Sequence, residues 1–342
     1  MQEPQQLGKI AVEEAYQHPN DSKRILSDET ELARVSDGGG VMPSYYRPIQ
    51  SLLAEFDEIR LTRMDAAGID HAILSLTAPG IQAIVDSADA EKKARSENDF
   101  LAEVVRRHPS RYSGFAAVPL QNAGAAAQEL ERAVVDLGFK GAMVNGYTST
   151  QHPERGIYLD EAANDRFWEK LCELDVPLYL HPRSALSGGL RLYEGHPELK
   201  GATWGFGAET ATHVLRIIFS GVFDRFPDAK LIVGHMGEAL PALLWRTQNM
   251  FDLNPFDKRP QKTLEEYFAD NIWITTSGSF SDSSLTNAIL AIGSDRIMFS
   301  VDYPYSENQP AANWIEHAPI SVSDRRKFCS GNARRLFRIT VA

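Results

Sequence analysis

Four apolar runs in this 342-residue chain end in side chains that bind metal ions or carry protons. They read Ile10-Ala11-Val12-Glu13-Glu14-Ala15, Leu178-Tyr179-Leu180-His181-Pro182-Arg183, Ile232-Val233-Gly234-His235-Met236-Gly237-Glu238 and Ile297-Met298-Phe299-Ser300-Val301-Asp302-Tyr303-Pro304. A carboxylate, two imidazoles and a second carboxylate are the donors that a zinc- or manganese-like divalent ion takes. One such residue means little, because a lone His after a strand is more often a hydrogen-bonded structural residue. Four at the same register on separate runs make a shared site the stronger reading. Side chains alternate along a strand, so Glu13 and Ala15 share one face and Glu14 takes the other. If Val12 and Glu14 face the helix layer, Glu13 is the ligand and Glu14 partners a surface or interface cation. Alternation alone leaves the reverse phase open.

Residues this far apart in sequence meet only if their runs are strands ending at one place. Eight candidate strands are Lys9–Glu13, Ala72–Leu76, Tyr112–Val118, Gly141–Asn145, Pro177–His181, Leu231–Gly234, Ile272–Thr276 and Arg296–Ser300. Most are followed by a helical period. In Asn122–Leu137, for example, Leu130, Ala133, Val134 and Leu137 fall on one face, Asn122 caps the start and Gly138 ends the helix. Ser87–His108, Glu161–Leu174, Glu209–Phe223, Gly237–Phe251 and Ser283–Ile292 read the same way. Alternating strands and helices predict an α/β fold with parallel strands, and eight such units close into a (β/α)8 TIM barrel. A doubly wound open sheet is the competing arrangement. Two polar stretches, Ala15–Arg47 with its Gly38–Gly40 run and Arg183–Gly205 with Ser187, Gly188 and Gly189, interrupt the rhythm. Both follow a strand, so both are expected as long loops over the C-terminal mouth, where barrel enzymes work. No repeat, low-complexity tract or linker divides the chain. A single barrel domain over residues 1–342, with a polar tail at 1–7, is the expectation.

Composition narrows the function classes. Lys and Arg total 35 against 46 Asp and Glu, a formal net charge of −11, which argues against nucleic acid and an anionic membrane as partners. The longest apolar runs are about five to seven residues, whereas a bilayer span takes about 20. Met1–Leu7 has no apolar signal core, and Cys172 and Cys329 suggest no disulfide framework. A cytoplasmic enzyme or binding protein of ordinary globular composition is expected.

The strand ends also carry a resemblance. Glu13-Glu14-Ala15-Tyr16, Leu180-His181-Pro182-Arg183, Gly234-His235-Met236-Gly237-Glu238 and Val301-Asp302-Tyr303-Pro304-Tyr305 resemble the signatures of one amidohydrolase-superfamily branch, the nonoxidative aromatic acid decarboxylases. That branch includes enzymes acting on γ-resorcylate, 2,3-dihydroxybenzoate, salicylate and 5-carboxyvanillate. The resemblance runs nearly end to end, through Met64–Asp70, Leu76–Gly80, Gly138–Gly141, Thr275–Gly278 and Asn332–Phe337. Much of the superfamily places a second metal-binding His two residues after the strand-one carboxylate, where this chain has Ala15. In that respect it resembles the 2,3-dihydroxybenzoate, salicylate and 5-carboxyvanillate members more than the γ-resorcylate type.

The resemblance implies a metal-dependent, reversible, nonoxidative decarboxylation of an ortho-hydroxybenzoate, with one divalent ion (Mn, Zn or Mg) and no organic cofactor. It assigns Glu13, His181 and Asp302 as metal ligands, and the loss of one nitrogen ligand tilts the ion from zinc toward manganese or magnesium. Asp302 is the implied proton donor to the ring, with His235 as its proton partner and Glu238 placed to orient His235. Read by itself, Glu238 serves equally as a first-turn carboxylate complementing a helix N-terminus. Arg246 reads by itself as a surface or inter-subunit arginine, but its counterpart in the 5-carboxyvanillate enzymes contacts the substrate region. Reaching a site from there takes a subunit interface, and a homodimer or homotetramer is implied. Tyr305 either donates to a ring substituent or simply packs. Arg183, Phe206, Thr77 and Tyr45–Arg47 are further pocket candidates, while His213, beside Val214 and Leu215, reads as a core histidine. The competing function is a hydrolase of the same superfamily acting on a lactone or amide; the absent strand-one His argues against it.

Overall fold

In the computed structural model, which describes residues 7–254 and 256–340, every candidate strand is present. The strands are β1 (Lys9–Tyr16), β2 (Ile69–Leu76), β3 (Tyr112–Gly114), β4 (Ala116–Ala117), β5 (Ala142–Asn145), β6 (Thr148–Ser149), β7 (Gly156–Ile157), β8 (Leu178–His181), β9 (Leu231–Val233), β10 (Ile272–Thr275) and β11 (Ile297–Met298). β6 and β7 form a separate antiparallel pair. The others make two parallel ladders, β1-β2-β3 and β4-β5-β8-β9-β10-β11. β3 and β4 are one run interrupted at Phe115: Phe115 N still donates to Leu74 O of β2, and Ala116 N turns to Gly141 O before β5. Strand order therefore follows chain order throughout, as in a (β/α)8 barrel and unlike a doubly wound sheet. The polar tail lies, apart from Leu7, outside the described residues.

Between β11 and β1 the ladder gives way to individual bonds. Ala15 N donates to Tyr303 O (2.8 Å) and Glu13 N to Ser300 Oγ (2.7 Å). The Glu14 carboxylate accepts from Ser300, Val301 and Tyr303. Ile10, Val12, Ile73, Phe115, Met143, Tyr179, Ile232 and Met298 fill the ring interior. Ala333, Phe337 and Ile339 from the C-terminal segment pack into the same cluster and plug one end, leaving the other as the mouth.

β1 does not alternate simply. Ala11 pairs with Ala72 and Glu14 with Leu74, so Val12 and Glu13 together stand opposite the single residue Ile73. That is a β-bulge, and it resets the phase of the strand. Val12, expected on the helix layer, belongs to the interior cluster, and Glu13 and Ala15 line the mouth cavity. Glu14 does face away from the mouth, but it is 3% exposed, not at the surface, because the seam with residues 300–303 covers it.

The first interrupting stretch is not a loop. It folds into helices Pro19–Ser27, Glu29–Gly38 and Pro43–Leu53. His18 and Asp28 cap the first two, and Ile25, Leu32, Tyr46, Ile49 and Leu53 form a small core seated on Ala15. The second holds only single turns, Ser187–Leu190, Arg191–Tyr193 and Pro197–Leu199. The two meet backbone to backbone: a Cβ on Gly201 would lie 1.9 Å from Gly39 O, so only glycine permits the contact. Among the described residues no helix is long and apolar enough to cross a membrane, and Cys172 and Cys329 are both free thiols.

Candidate metal centre and active site

The bulge delivers Glu13 to the mouth, and a hydroxyl cradle fixes one of its oxygens. Ser277 Oγ donates to Glu13 Oε2 at 2.5 Å, Thr275 Oγ1 at 3.4 Å, and the Tyr179 hydroxyl also donates to it. Gly234 allows this close approach, since a Cβ there would stand 2.6 Å from the same oxygen. Glu13 Oε1 is buried with no hydrogen-bond partner. It faces His181 Nε2 at 3.3 Å and His235 Nε2 at 3.4 Å.

His181 ends β8 by the plain alternation of that strand. Its Nδ1 donates to Pro182 O at 2.9 Å, which leaves Nε2 facing Glu13. His235 follows β9 in a different way. His235, Met236, Gly237, Glu238 and Ala239 all have positive φ, from +48° to +74°, and the regular helix Leu240–Asp252 begins only after them. The helix expected from Gly237 thus starts three residues late. A left-handed run is costly for side-chain-bearing residues and is kept where it positions something. Here it turns Glu238 back onto His235, with Nδ1 to Oε1 at 2.7 Å, while His235 Nε2 stands 3.8 Å from Asp302 Oδ2. Asp302 itself has φ +71°.

Burial alone would raise the Glu13 carboxyl, but His235, His181 and Ser277 hold it down to about 2. Burial opposes protonation of His235, yet Glu238, Glu13 and Asp302 together raise it well above the ordinary imidazole value. Asp302 is raised, by burial first and by the Glu13 charge, against the pull of His235. Burial pushes the Glu14 carboxyl up to about 8, against its amide donors and Arg60. Glu13, Asp302 and Glu238 bring three carboxyl groups to one buried locus beside His181 and His235, where a divalent cation would offset their charge. One donor atom from each of Glu13, His181, His235 and Asp302 lies within 4.8 Å of the others, and the unpartnered Glu13 Oε1 points among them, so the residues fit such an ion.

Beside this cluster is a small cavity. Ala15, Leu76 and Met143 give it apolar walls, and Thr77 and Tyr305, joined at 2.7 Å, give it a polar one. Tyr45 donates to Tyr305 O at 3.0 Å and Tyr46 stacks on the Tyr305 ring, whereas Arg47 pairs with Glu29 at the surface. Phe206 is half-buried on the first turn of helix Gly205–Phe219, the turn whose Gly207 abuts Glu238. Two expected contacts are not made within the chain. The Arg183 guanidinium stacks on Tyr147 and donates through Nη1 and Nη2 to Gln82 O, Tyr147 O and Ser149 Oγ, leaving Nε buried without a partner among the described residues. Arg246 is exposed on the helix Leu240–Asp252, away from the cluster. His213 is a buried core histidine, accepting from Leu159 N at 2.9 Å. The cradle residues Tyr179, Thr275 and Ser277 were not singled out from the sequence as site residues. Tyr179 was within reach, since it lies two positions before His181 and so shares its face.

The barrel and the mouth-end carboxylates and imidazoles, which fit one divalent ion, are those of a barrel enzyme, and residues 47–339 match the amidohydrolase family, to which the chain belongs. Its relatives are more particular. It is 44% identical to a γ-resorcylate decarboxylase of Polaromonas sp. over 97% of this chain and 99% of that one. A dihydroxybenzoic acid decarboxylase structure from Polaromonas sp., holding manganese and the inhibitor 2-nitroresorcinol, superposes with a TM-score of 0.89 at 43% identity, covering 97% of each chain. A 5-carboxyvanillate decarboxylase from Novosphingobium aromaticivorans, holding manganese and 4-hydroxy-3-methoxy-5-nitrobenzoic acid, gives 0.88 at 32% identity over 97% of this chain and 96% of that one. Whole-chain identity is thus higher to the γ-resorcylate enzymes than to the 5-carboxyvanillate ones, although Ala15 resembles the 2,3-dihydroxybenzoate, salicylate and 5-carboxyvanillate members more.

Proposed function

We propose that this chain is a metal-dependent, nonoxidative decarboxylase of ortho-hydroxybenzoates, working reversibly on a ring of the 2,6-dihydroxybenzoate kind. The observation that carries the reading is Glu13 Oε1, buried without a hydrogen-bond partner and facing two imidazole nitrogens beside the Asp302 carboxylate. Glu13, His181 and Asp302 would hold the ion, and manganese is the choice that the bound metal of the relatives supports. When bound, it supplies Lewis-acid stabilisation to oxygens of the substrate.

The chain's own residues handle the proton. Direct loss of carbon dioxide from a benzoate would leave an aryl carbanion, so the ring carbon bearing the carboxylate must first be protonated. Asp302 is the donor. Its carboxyl lies 3.8 Å from His235, which Glu238 orients through Nδ1; because the proton given to the ring stays on the product, His235 passes Asp302 a replacement and takes up one proton from solvent in each turnover. The carbon–carbon bond then breaks, its electrons restore the aromatic ring and carbon dioxide leaves. Thr77 and Tyr305 form the polar wall for a further ring oxygen, and Phe206 closes the pocket from the neighbouring helix. Arg246 reaches a site only across a subunit interface. The exposed Leu243, Trp245 and Leu253 around it support a homodimer or dimer of dimers.

The deciding assay is carbon dioxide release from a panel of hydroxybenzoates, with and without a chelator. Ortho-hydroxylated benzoates are expected to turn over only with metal, and benzoate and para-hydroxybenzoate not at all. Losing a few kcal/mol of stabilisation of the ortho oxygen costs orders of magnitude at about 1.4 kcal/mol per tenfold. Comparable turnover of para-hydroxybenzoate would overturn the reading.

A further inference from the structure

β11 holds its ladder with β10 for only two residue pairs, and the segment that follows it carries Asp302 along the flank of β1. Asp302 sits there at φ +71°, a region where an L side chain is costly and must be held. The Val301 N–H, one peptide before Asp302's own, and the Tyr303 N–H, directly after the Asp302 Cα, both end on Glu14. Val301 N donates to Oε1 at 3.0 Å and Tyr303 N to Oε2 at 3.1 Å. Ser300 Oγ donates to Oε1 at 3.1 Å while accepting from Glu13 N at 2.7 Å, and Ala15 N donates to Tyr303 O at 2.8 Å. One buried carboxyl group thus holds both ends of the Val301–Asp302 segment, the peptide plane entering Val301 and the plane leaving Asp302. With both ends pinned, the dihedral angles of the two residues are restrained together, and with them the direction in which the Asp302 side chain leaves the backbone.

We infer that Glu14 is a positioning residue, whose clasp on the Val301 and Tyr303 amides sets the Asp302 carboxylate at the separation from Glu13 that a shared ion requires. The bulge makes this economical: adjacent residues of β1 present Glu13 to the mouth and Glu14 to the seam, so both carboxylate ligands are referred to one stretch of backbone. The inference rests on Glu13, His181 and Asp302 being a metal site. It adds that Glu14, which touches neither ion nor substrate, governs the affinity of that site through Asp302.

The test is a double-mutant cycle read by Mn2+ titration calorimetry on the full chain, with unfolding midpoints measured alongside. Glu14→Gln keeps the volume but turns an NH2 group toward one of the two amides, which opens the clasp. It is expected to weaken Mn2+ binding about 10- to 100-fold, the usual effect of losing a partner that orients a ligand. At saturating Mn2+ it should lower kcat more than it raises KM. In an Asp302→Asn background the same change should cost less than about threefold, because the effect passes through Asp302. Wild-type Mn2+ affinity in Glu14→Gln, or a full additive loss in the Asp302→Asn background, overturns the inference and leaves only a seam that stabilises the fold. Should Glu14→Gln not fold, Glu14→Asp is read the same way, since it keeps both acceptors but is one methylene too short for the clasp. A wild-type protein that binds no Mn2+ would instead overturn the metal site itself.

Discussion

In the proposed site Glu13, His181 and Asp302 are the three protein ligands, which leaves no redundancy. Replacing His181 or Asp302 by Ala should abolish metal binding and turnover together, checked by calorimetry and carbon dioxide release. Full metal occupancy in His181→Ala would remove it from the ligand set. Tyr179→Phe tests the cradle. Losing one of three hydroxyls on Glu13 Oε2 should weaken the metal about tenfold while leaving the fold intact. At this scale the sequence was readable wherever a chemical residue closes an apolar run. Glu13, His181, His235 and Asp302 all do, and all four meet. Thr275 and Ser277 carry no such mark, because a hydroxyl that cradles a carboxylate looks like any strand-end Thr or Ser. Arg183 is ambiguous to a sequence reading for the opposite reason: its charge suggests a substrate contact, but loop oxygens take its Nη1 and Nη2 donors while Nε stays buried without a partner among the described residues.

Elements were legible to the extent that they follow a simple period. Asn122 caps its helix as expected, accepting from Gly124 N and Ala125 N. Two features broke the period without announcing it. The bulge in β1 puts Val12 and Glu13 on one side, which strict alternation forbids. The left-handed run at 235–239 precedes an amphipathic helix whose pattern extends smoothly back across it. The polar stretch read as a loop is three short helices, whose few apolar residues suffice because they share one small core on Ala15. Helix Gly205–Phe219 carries its own prediction. Burial pushes the His213 imidazole from 6.5 down to about 3, so the folded chain keeps it neutral while the unfolded chain takes up a proton. The corresponding stability is complete above about pH 6.5 and is lost as pH falls toward about 3, at up to about 1.4 kcal/mol per pH unit. His213→Gln, whose side-chain oxygen can accept from Leu159 N–H, should recover about 2 kcal/mol of the drop between about pH 7 and about pH 5 in denaturant titrations. An identical drop in variant and wild type would exclude His213 as its source.

At the scale of the whole chain, eight strand-and-helix units were enough to read a barrel, but not how its last seam closes. β11 pairs for two residues, and side chains of β1 complete the ring, which no periodicity reveals. The outer surface carries the assembly prediction. Trp245 is 71% and Leu253 70% exposed, flanking the unpaired Arg246. Trp245→Glu with Leu253→Glu should convert the protein to a species near 38.0 kDa in sedimentation and cut its turnover. A wild-type protein that sediments only at that mass with full activity would exclude an essential interface.

The doubled residue in β1 also divides the chain by what each part can bear in length. Removing one position between Lys9 and Glu13 would close the bulge and leave a single inward place opposite Ile73, so the packing of Val12 in the interior and the reach of Glu13 to the mouth would compete for it. Residues 17–57, closed on their own small core and returning to the barrel at Asp57, can be trimmed or extended without rotating any ligand. Insertions and deletions are therefore affordable in the roof of this molecule, and the strand beneath it is a ruler that must keep its count.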